Sequence, residues 1–84
     1  MENFDTLQKA RQDLIDELDA IIQYDSHIHS SQNEVAKNTW THIMHEEMHH
    51  VGELLALLNY LSPEQKQHVQ MGIDEFLSEN QNMN

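Results

Sequence analysis

The sequence contains no cysteine, so neither disulfide bonds nor thiolate metal ligands are available to it. Its two glycines and one proline leave few positions that favour tight turns. Only four lysines and arginines stand against fifteen aspartates and glutamates, which gives a formal net charge of −11. This shortage of cationic side chains argues against nucleic acids and anionic membranes as partners, and it favours association with cations.

Long apolar runs are also missing, and no stretch approaches the roughly 18 residues that a membrane span requires. Residues 1–7 are polar and acidic, so we expect no secretory signal and a cytoplasmic location. No segment alternates apolar and polar residues in the way that a half-buried strand does. The 84 residues are therefore predicted to form a single small all-α domain, residues 1–84.

Apolar residues recur at helical spacing in three segments of the chain. We predict helices at about 5–29, 34–61 and 63–78, followed by a disordered polar tail at 79–84. Asp5 is a suitable N-cap for the first helix, with Gln8 three residues further on. Ser62 is a suitable N-cap for the third helix, where Pro63 suits the first helical position and Gln65 completes a capping box.

The first two helices are long for so short a chain, at roughly 25 residues or about 38 Å each. Joined by a short polar loop, they are expected to form an antiparallel hairpin whose apolar faces are only half covered. Two such hairpins would cover these faces by forming a four-helix bundle. The sequence thus predicts a homodimer before any metal is considered.

Glu47 stands near the middle of the apolar face of the second helix. At about 100° per residue, it falls within roughly 20–40° of the centre of a face that runs from Trp40 to Leu58. A buried carboxylate without a partner is costly, so Glu47 needs a cation. Lys37 is about three turns away, and the other cationic side chains lie towards helix ends. A metal ion is the remaining good partner. The alternative is that Glu47 lies at a surface position that is locally exposed to water.

His50 and Glu17 are further candidate ligands. His50 follows Glu47 by three residues, so both side chains can reach the same ion from one helix face. Glu17 lies at the border of the apolar face of the first helix, on the same side as Tyr24. The alternative to a metal ligand is that Glu17 is a solvent-exposed residue beside that face. A ferritin-like di-iron bundle takes a Glu from each of two helices and a Glu-x-x-His pair from each of two others. One chain carries half of that set, which predicts a centre completed by a second copy.

The segment from His45 to His49 also matches the H-E-x-x-H pattern of zinc proteases. On a helical wheel these two histidines point away from the apolar face, with His42 beside them. The chain has no sheet, no obvious third ligand and too little length for a protease cleft. We interpret the three histidines as a solvent-exposed stripe, open to incidental zinc or nickel, and not as a catalytic centre.

Two segments of the sequence resemble the encapsulated ferritin family. In that family, a Glu in an E-L-[DE]-A-x-x-x-Y-D segment precedes the Glu of an E-E-x-x-H segment by the same thirty residues that separate Glu17 from Glu47 here. The two segments in this chain are ELDAIIQYD, which ends at Asp25, and EEMHH, which runs from Glu46 to His50. The three-helix layout extends the resemblance over most of the chain.

The resemblance implies a ferroxidase that oxidises Fe(II) at a di-iron centre between two chains, for iron storage or detoxification. It implies metal ligands at Glu17, Glu47 and His50, and a tyrosine beside the centre at Tyr24. It also implies that acids line the metal approach, at Asp16 and Asp19. Carboxylate oxygens with one imidazole per metal suit iron or manganese, and zinc is a conceivable substitute.

The resemblance further implies a homodimer, rings of such dimers such as a decamer, and an encapsulin shell as a partner. Family members that load into a nanocompartment end in a docking peptide of mixed apolar and basic residues, and the last residues here, 78–84, do not resemble one. The residues themselves leave a non-catalytic alternative open. In that alternative, the metal only stabilises a helical oligomer or an interaction module.

Overall fold

The computed structural model describes residues 2–81, with side chains from residue 4 onward. It contains three α-helices: α1 (Glu2–Ser30), α2 (Glu34–Leu61) and α3 (Pro63–Glu79). There is no strand in residues 2–81, so the all-α prediction is confirmed. Within the same residues, no helix is both long and apolar enough to cross a membrane.

The N-terminal boundary of α1 differs from the prediction. Asp5 lies inside the helix, where its carboxylate pairs with Lys9 Nζ one turn later at 3.1 Å instead of capping the helix start. Gln8 accepts a hydrogen bond from Arg11 Nη1 at 2.8 Å, so it takes no part in a capping box. An acid in a first turn is favourable with or without a cap, because it faces the positive end of the helix dipole.

The C-terminal boundary also differs, since α3 includes Glu79 and the chain continues into a turn at Asn80 and Gln81. The Asn80 backbone N–H donates to the Phe76 carbonyl at 3.1 Å, and its side-chain amide donates to the same oxygen at 2.8 Å. These bonds give the predicted tail an ordered start over residues 79–81. The rest of the predicted tail, residues 82–84, lies outside the described residues.

Residues 31–33 join α1 to α2 through polar side chains. The Asn33 side chain accepts a hydrogen bond from the Ala36 N–H at 3.0 Å and thereby caps α2. The Ser31 hydroxyl accepts from the Asn33 N–H at 3.1 Å. Because these oxygens satisfy N–H groups that have no partner within the helix, the chain can reverse direction within three residues. Helices α1 and α2 accordingly pack against each other as an antiparallel hairpin.

Ser62 separates α2 from α3, and its hydroxyl caps α3 by accepting from the Gln65 N–H at 3.1 Å. The reciprocal bond of the predicted capping box does not form, because the Ser62 N–H donates to the Leu58 carbonyl at 2.9 Å. Gln65 Oε1 instead accepts from Arg11 Nε at 2.9 Å and from Arg11 Nη2 at 2.7 Å. Arg11 therefore ties the first turn of α3 to α1.

The three helices form a flat layer that buries little apolar surface. Its extents are 45 × 43 × 15 Å, and the smallest is close to the thickness of a single helix with its side chains. The radius of gyration of 16.6 Å exceeds the roughly 12 Å expected of a compact domain of this length. Among the described apolar side chains, only those of Ala10 and Leu58 are fully buried. Such a layer is suited to packing against another copy.

Candidate metal centre

Three candidate ligands meet between α1 and α2. One ligand atom from each of Glu17, Glu47 and His50 lies within 4.8 Å of the other two. His50 Nδ1 is 3.4 Å from Glu17 Oε1 and 3.7 Å from Glu47 Oε2. No other group of three or more histidines and acids converges in this way within the described part of the chain. Two carboxylates and an imidazole at these separations can bind a single divalent ion.

The hairpin geometry explains why residues so far apart in the sequence meet. Glu17 and Glu47 lie fifteen residues on either side of Gln32, which is the middle residue of the connection between the helices. In an antiparallel hairpin, residues equidistant from the turn lie at the same height along the two axes. His50 is three residues after Glu47, so its side chain projects from the adjacent turn of the same face.

The two carboxylates are more sequestered than the imidazole. The side chains of Glu17 and Glu47 are 23% and 20% exposed, against 46% for His50. Glu17 Oε2 is buried and has no hydrogen-bond partner among the described residues. The Glu47 carboxyl, which can share a proton with Glu17, raises the pKa of Glu17 above its ordinary value, and burial adds to this effect while His50 opposes it. A bound cation would give Glu17 Oε2 a partner, and it would also offset the repulsion between the two acids.

An open groove of about 500 Å³ runs along one face of the hairpin beside these ligands. Its walls are Asp13, Asp16, Glu17, His50, Glu53 and Leu54. Asp16 was expected near a metal approach, whereas Asp13 and Glu53 were not identified from the sequence. Helical spacing could have found them, because Asp13 precedes Glu17 by one turn and Glu53 follows His50 by three residues. The acidic walls favour the approach of cations from solvent.

Asp19 and Tyr24 lie apart from the three clustered ligands in the single chain. Asp19 is exposed and does not line the groove. Tyr24 is seven residues from Glu17, or about 10 Å along the helix. Its ring meets the edge of His27 at a centroid distance of 6.4 Å, and His27 meets Trp40 at 5.0 Å. The functional roles implied for Asp19 and Tyr24 therefore remain predictions.

The three histidines of the H-E-x-x-H region lie on an exposed edge of α2. His42, His45 and His49 are all exposed, and none belongs to the ligand cluster described above. His42 Nε2 lies 2.6 Å from Glu46 Oε1, one turn further along the helix. The exposure of the three side chains is what the sequence analysis expected of a solvent-exposed stripe.

The fold and the clustered ligands define a ferritin-like helical hairpin. The crystal structure of the encapsulated ferritin domain from Pyrococcus furiosus matches it with a TM-score of 0.87 and 33% sequence identity, over 90% of this chain and 78% of that chain. The chain therefore belongs to the encapsulated ferritin family. No family model matches the sequence.

A second similarity is to the encapsulin nanocompartment cargo protein EncC of Myxococcus xanthus (strain DK1622). The two sequences are 38% identical over 60 residues, which make up 71% of this chain and 46% of that protein. The chain thus spans about half the length of this relative. Both similar proteins are named for their enclosure in a shell, and one of them is named as a ferritin domain.

Proposed function

We propose that this protein is a ferroxidase, which binds two Fe(II) ions where two copies of the chain meet and oxidises them to Fe(III). The convergence of Glu17, Glu47 and His50 within 4.8 Å carries the proposal. Two copies would contribute four carboxylates and two imidazoles, as in a ferritin-like di-iron bundle. Four carboxylates also balance the charge of two divalent ions, which relieves the repulsion between the acids of the metal-free centre.

Each residue has a distinct role in this scheme. Glu47 would bridge the two irons, Glu17 would chelate or bridge, and His50 would cap one iron in each half. Hard oxygen ligands with one imidazole per metal favour iron or manganese over softer ions. Each Fe(II) gives up one electron, so a pair of ions supplies the two electrons that reduce dioxygen and two protons to hydrogen peroxide, or hydrogen peroxide and two protons to water.

The groove face of the hairpin is suited to the metal-sharing contact. Its walls bring both helices and the half-exposed His50 to one surface, where a second copy related by a two-fold axis would present the same residues. The acids Asp13, Asp16 and Glu53 would lie around this contact and conduct Fe(II) towards it.

The opposite face of the hairpin supports a second contact. About 100–160° around α1 from Glu17, on the side away from Asp16, the exposed side chains are apolar. They are Ile15, Leu18 and Ile22, at 52%, 46% and 67% exposure, with Met48 and Leu55 beside them on α2. Two different two-fold contacts, one on each face, generate a ring with an even number of chains, such as a decamer.

Helix α3 extends the exposed apolar surface, because none of its residues is buried. Val69, Ile73 and Phe76 recur at helical spacing and are 44%, 47% and 64% exposed. An apolar row of this kind on a projecting helix is suited to covering a neighbouring hairpin in the same ring.

We extend the proposal to a location inside an encapsulin nanocompartment, where the ferroxidase would serve iron storage or detoxification. The names of both similar proteins support this location. An open ring of hairpins has no closed cavity in which to hold an iron mineral. Storage of the Fe(III) product would therefore depend on a separate container.

Diffraction at the iron absorption edge tests the proposed centre. Crystals grown anaerobically with Fe(II) should show two anomalous scatterers between the Glu47 side chains of two symmetry-related chains. The expected content is about one iron per chain, because two chains share two ions. An iron ion enclosed by the ligands of a single chain, or the absence of iron at Glu47, would contradict the shared centre.

Analytical ultracentrifugation tests the assembly. The protein should sediment as a dimer or a larger even-numbered ring, and Fe(II) should promote association by bridging the groove faces. Ile22→Glu should reduce rings to metal-linked dimers, because it places a charge in the apolar contact. Val35→Glu is the matched control, since Val35 is 77% exposed and lies near the start of α2, about 140–160° around that helix from Met48 and Leu55. A stable monomer at saturating Fe(II) is the result that the proposal does not allow.

A further inference from the structure

His45 and His49 occupy an edge of the molecule that the proposed centre does not use. They lie about 160° around α2 from Glu47, so they point away from α1 and belong to neither face of the hairpin. Both are exposed. The spacing of four residues places their side chains one above the other, with the Cβ atoms about 5–6 Å apart.

The surroundings leave these two imidazoles free and negatively flanked. Within the described residues, the histidine rings that form ion pairs or hydrogen bonds are those of His29, His42 and His50. Glu46 Oε1 lies 2.6 Å from His42 Nε2. The Glu46 carboxylate therefore adds negative charge nearby without binding the imidazole of His45 or His49. A net charge of −11 over the whole chain further favours cations at this edge.

We propose that His45 and His49 form a second metal site, which binds a borderline divalent ion such as Ni²⁺, Zn²⁺ or Cu²⁺ through two imidazoles, with water completing the coordination. Two histidines at this spacing on a helix can chelate one ion. Imidazole ligands without carboxylates favour the later ions of the divalent series over Fe²⁺ and Mn²⁺. The protein would therefore separate metals by ligand chemistry, with iron between the helices and later ions at the outer edge. The site stands on residues that the proposed ferroxidase centre does not include.

Equilibrium dialysis against NiCl₂, followed by metal analysis, tests the site in the intact protein. The double variant His45→Ala/His49→Ala should bind about one Ni²⁺ fewer per chain than the wild type. Either single substitution should weaken this Ni²⁺ by roughly 100-fold, because it removes the gain from two ligands on one scaffold. His68→Ala is the matched control, since His68 is a single exposed histidine on α3, and it should bind as much Ni²⁺ as the wild type.

Two further measurements separate this site from the carboxylate centre. Glu47→Ala should retain the Ni²⁺ that the double variant loses, and an excess of Mn²⁺ should not displace it. Equal Ni²⁺ binding by the double variant and the wild type would overturn the proposal. So would an equal loss in His68→Ala, or displacement by Mn²⁺, because either result would mean that the two histidines do not act as a selective pair.

Discussion

Replacing Glu47 or His50 with alanine is expected to abolish Fe(II) oxidation, while the same replacement at the adjacent Glu46 or His49 should leave it nearly intact. Glu47 and His50 converge with Glu17, whereas Glu46 pairs with His42 on the exposed edge of the helix. Loss of a residue that merely supports a metal ligand typically costs 10–100-fold, so loss of a ligand should exceed about 100-fold. The measurement is the initial rate at which the Fe(III) absorbance increases after anaerobic, Fe(II)-loaded protein is mixed with oxygenated buffer.

Glu46 and His49 are matched controls for Glu47 and His50. Each pair compares the same residue type at two adjacent positions, about 100° apart around the helix. Alanine is the strongest helix former, so none of these substitutions endangers α2 itself. His45→Ala should behave like His49→Ala. If His45→Ala were inactive while His50→Ala retained activity, α2 would have to be rotated so that His45, and not His50, faces the centre.

Glu47→Leu is expected to raise the melting temperature of the metal-free protein while ending ferroxidase turnover. The Glu47 side chain is 20% exposed and lies beside Glu17, whose pKa it raises, so the metal-free centre holds two competing acids. Leucine removes this repulsion and adds apolar burial, which is worth about 1.5–3 kcal/mol per chain when complete. For a domain of this size the gain corresponds to roughly 6–24 °C. Glu17→Leu should shift the melting temperature in the same direction.

Melting curves recorded with and without metal test this prediction. Wild type should recover much of the difference when Zn²⁺ or anaerobic Fe²⁺ is added, by about 2.7 kcal/mol at a hundred times the dissociation constant. Glu46→Leu is the control and should show no comparable gain, because its side chain is 54% exposed. A metal-free Glu47→Leu protein that melts below wild type would refute the inference that burial demands a metal.

Local patterns in the sequence predicted the helical class, and helix caps explain why. Apolar residues at helical spacing, together with Asn33 and Ser62 as side-chain caps, specify helices through contacts a few residues apart. The role of Gln65 could not be predicted in the same way. Its bond with Arg11 spans 54 residues, and it depends on the angle between α3 and the hairpin, which no local pattern encodes.

The candidate centre was partly predictable for a geometric reason. Among the fifteen acids, Glu47 was selected by its place on the apolar face of the second helix, and the resemblance to a known family supported both Glu17 and Glu47. The two residues are equidistant from the loop, so a hairpin brings them to the same height. Asp13 and Glu53 follow from the same helical spacing once Glu17 and His50 are chosen. The contact between His27 and Trp40 was missed, because it depends on the relative rotation of the two helices.

The near absence of a buried core in the single chain has a consequence for the living cell. Only Ala10 and Leu58 are fully buried apolar residues among those described, so on the proposed assembly most of the stabilising burial would arise when chains meet. The folded fraction would then rise more steeply than the amount of protein synthesised. Protection from proteolysis would therefore depend on a threshold concentration of chains. Below this concentration, newly made chains would stay exposed to proteases, and above it they would be protected by assembly with other copies.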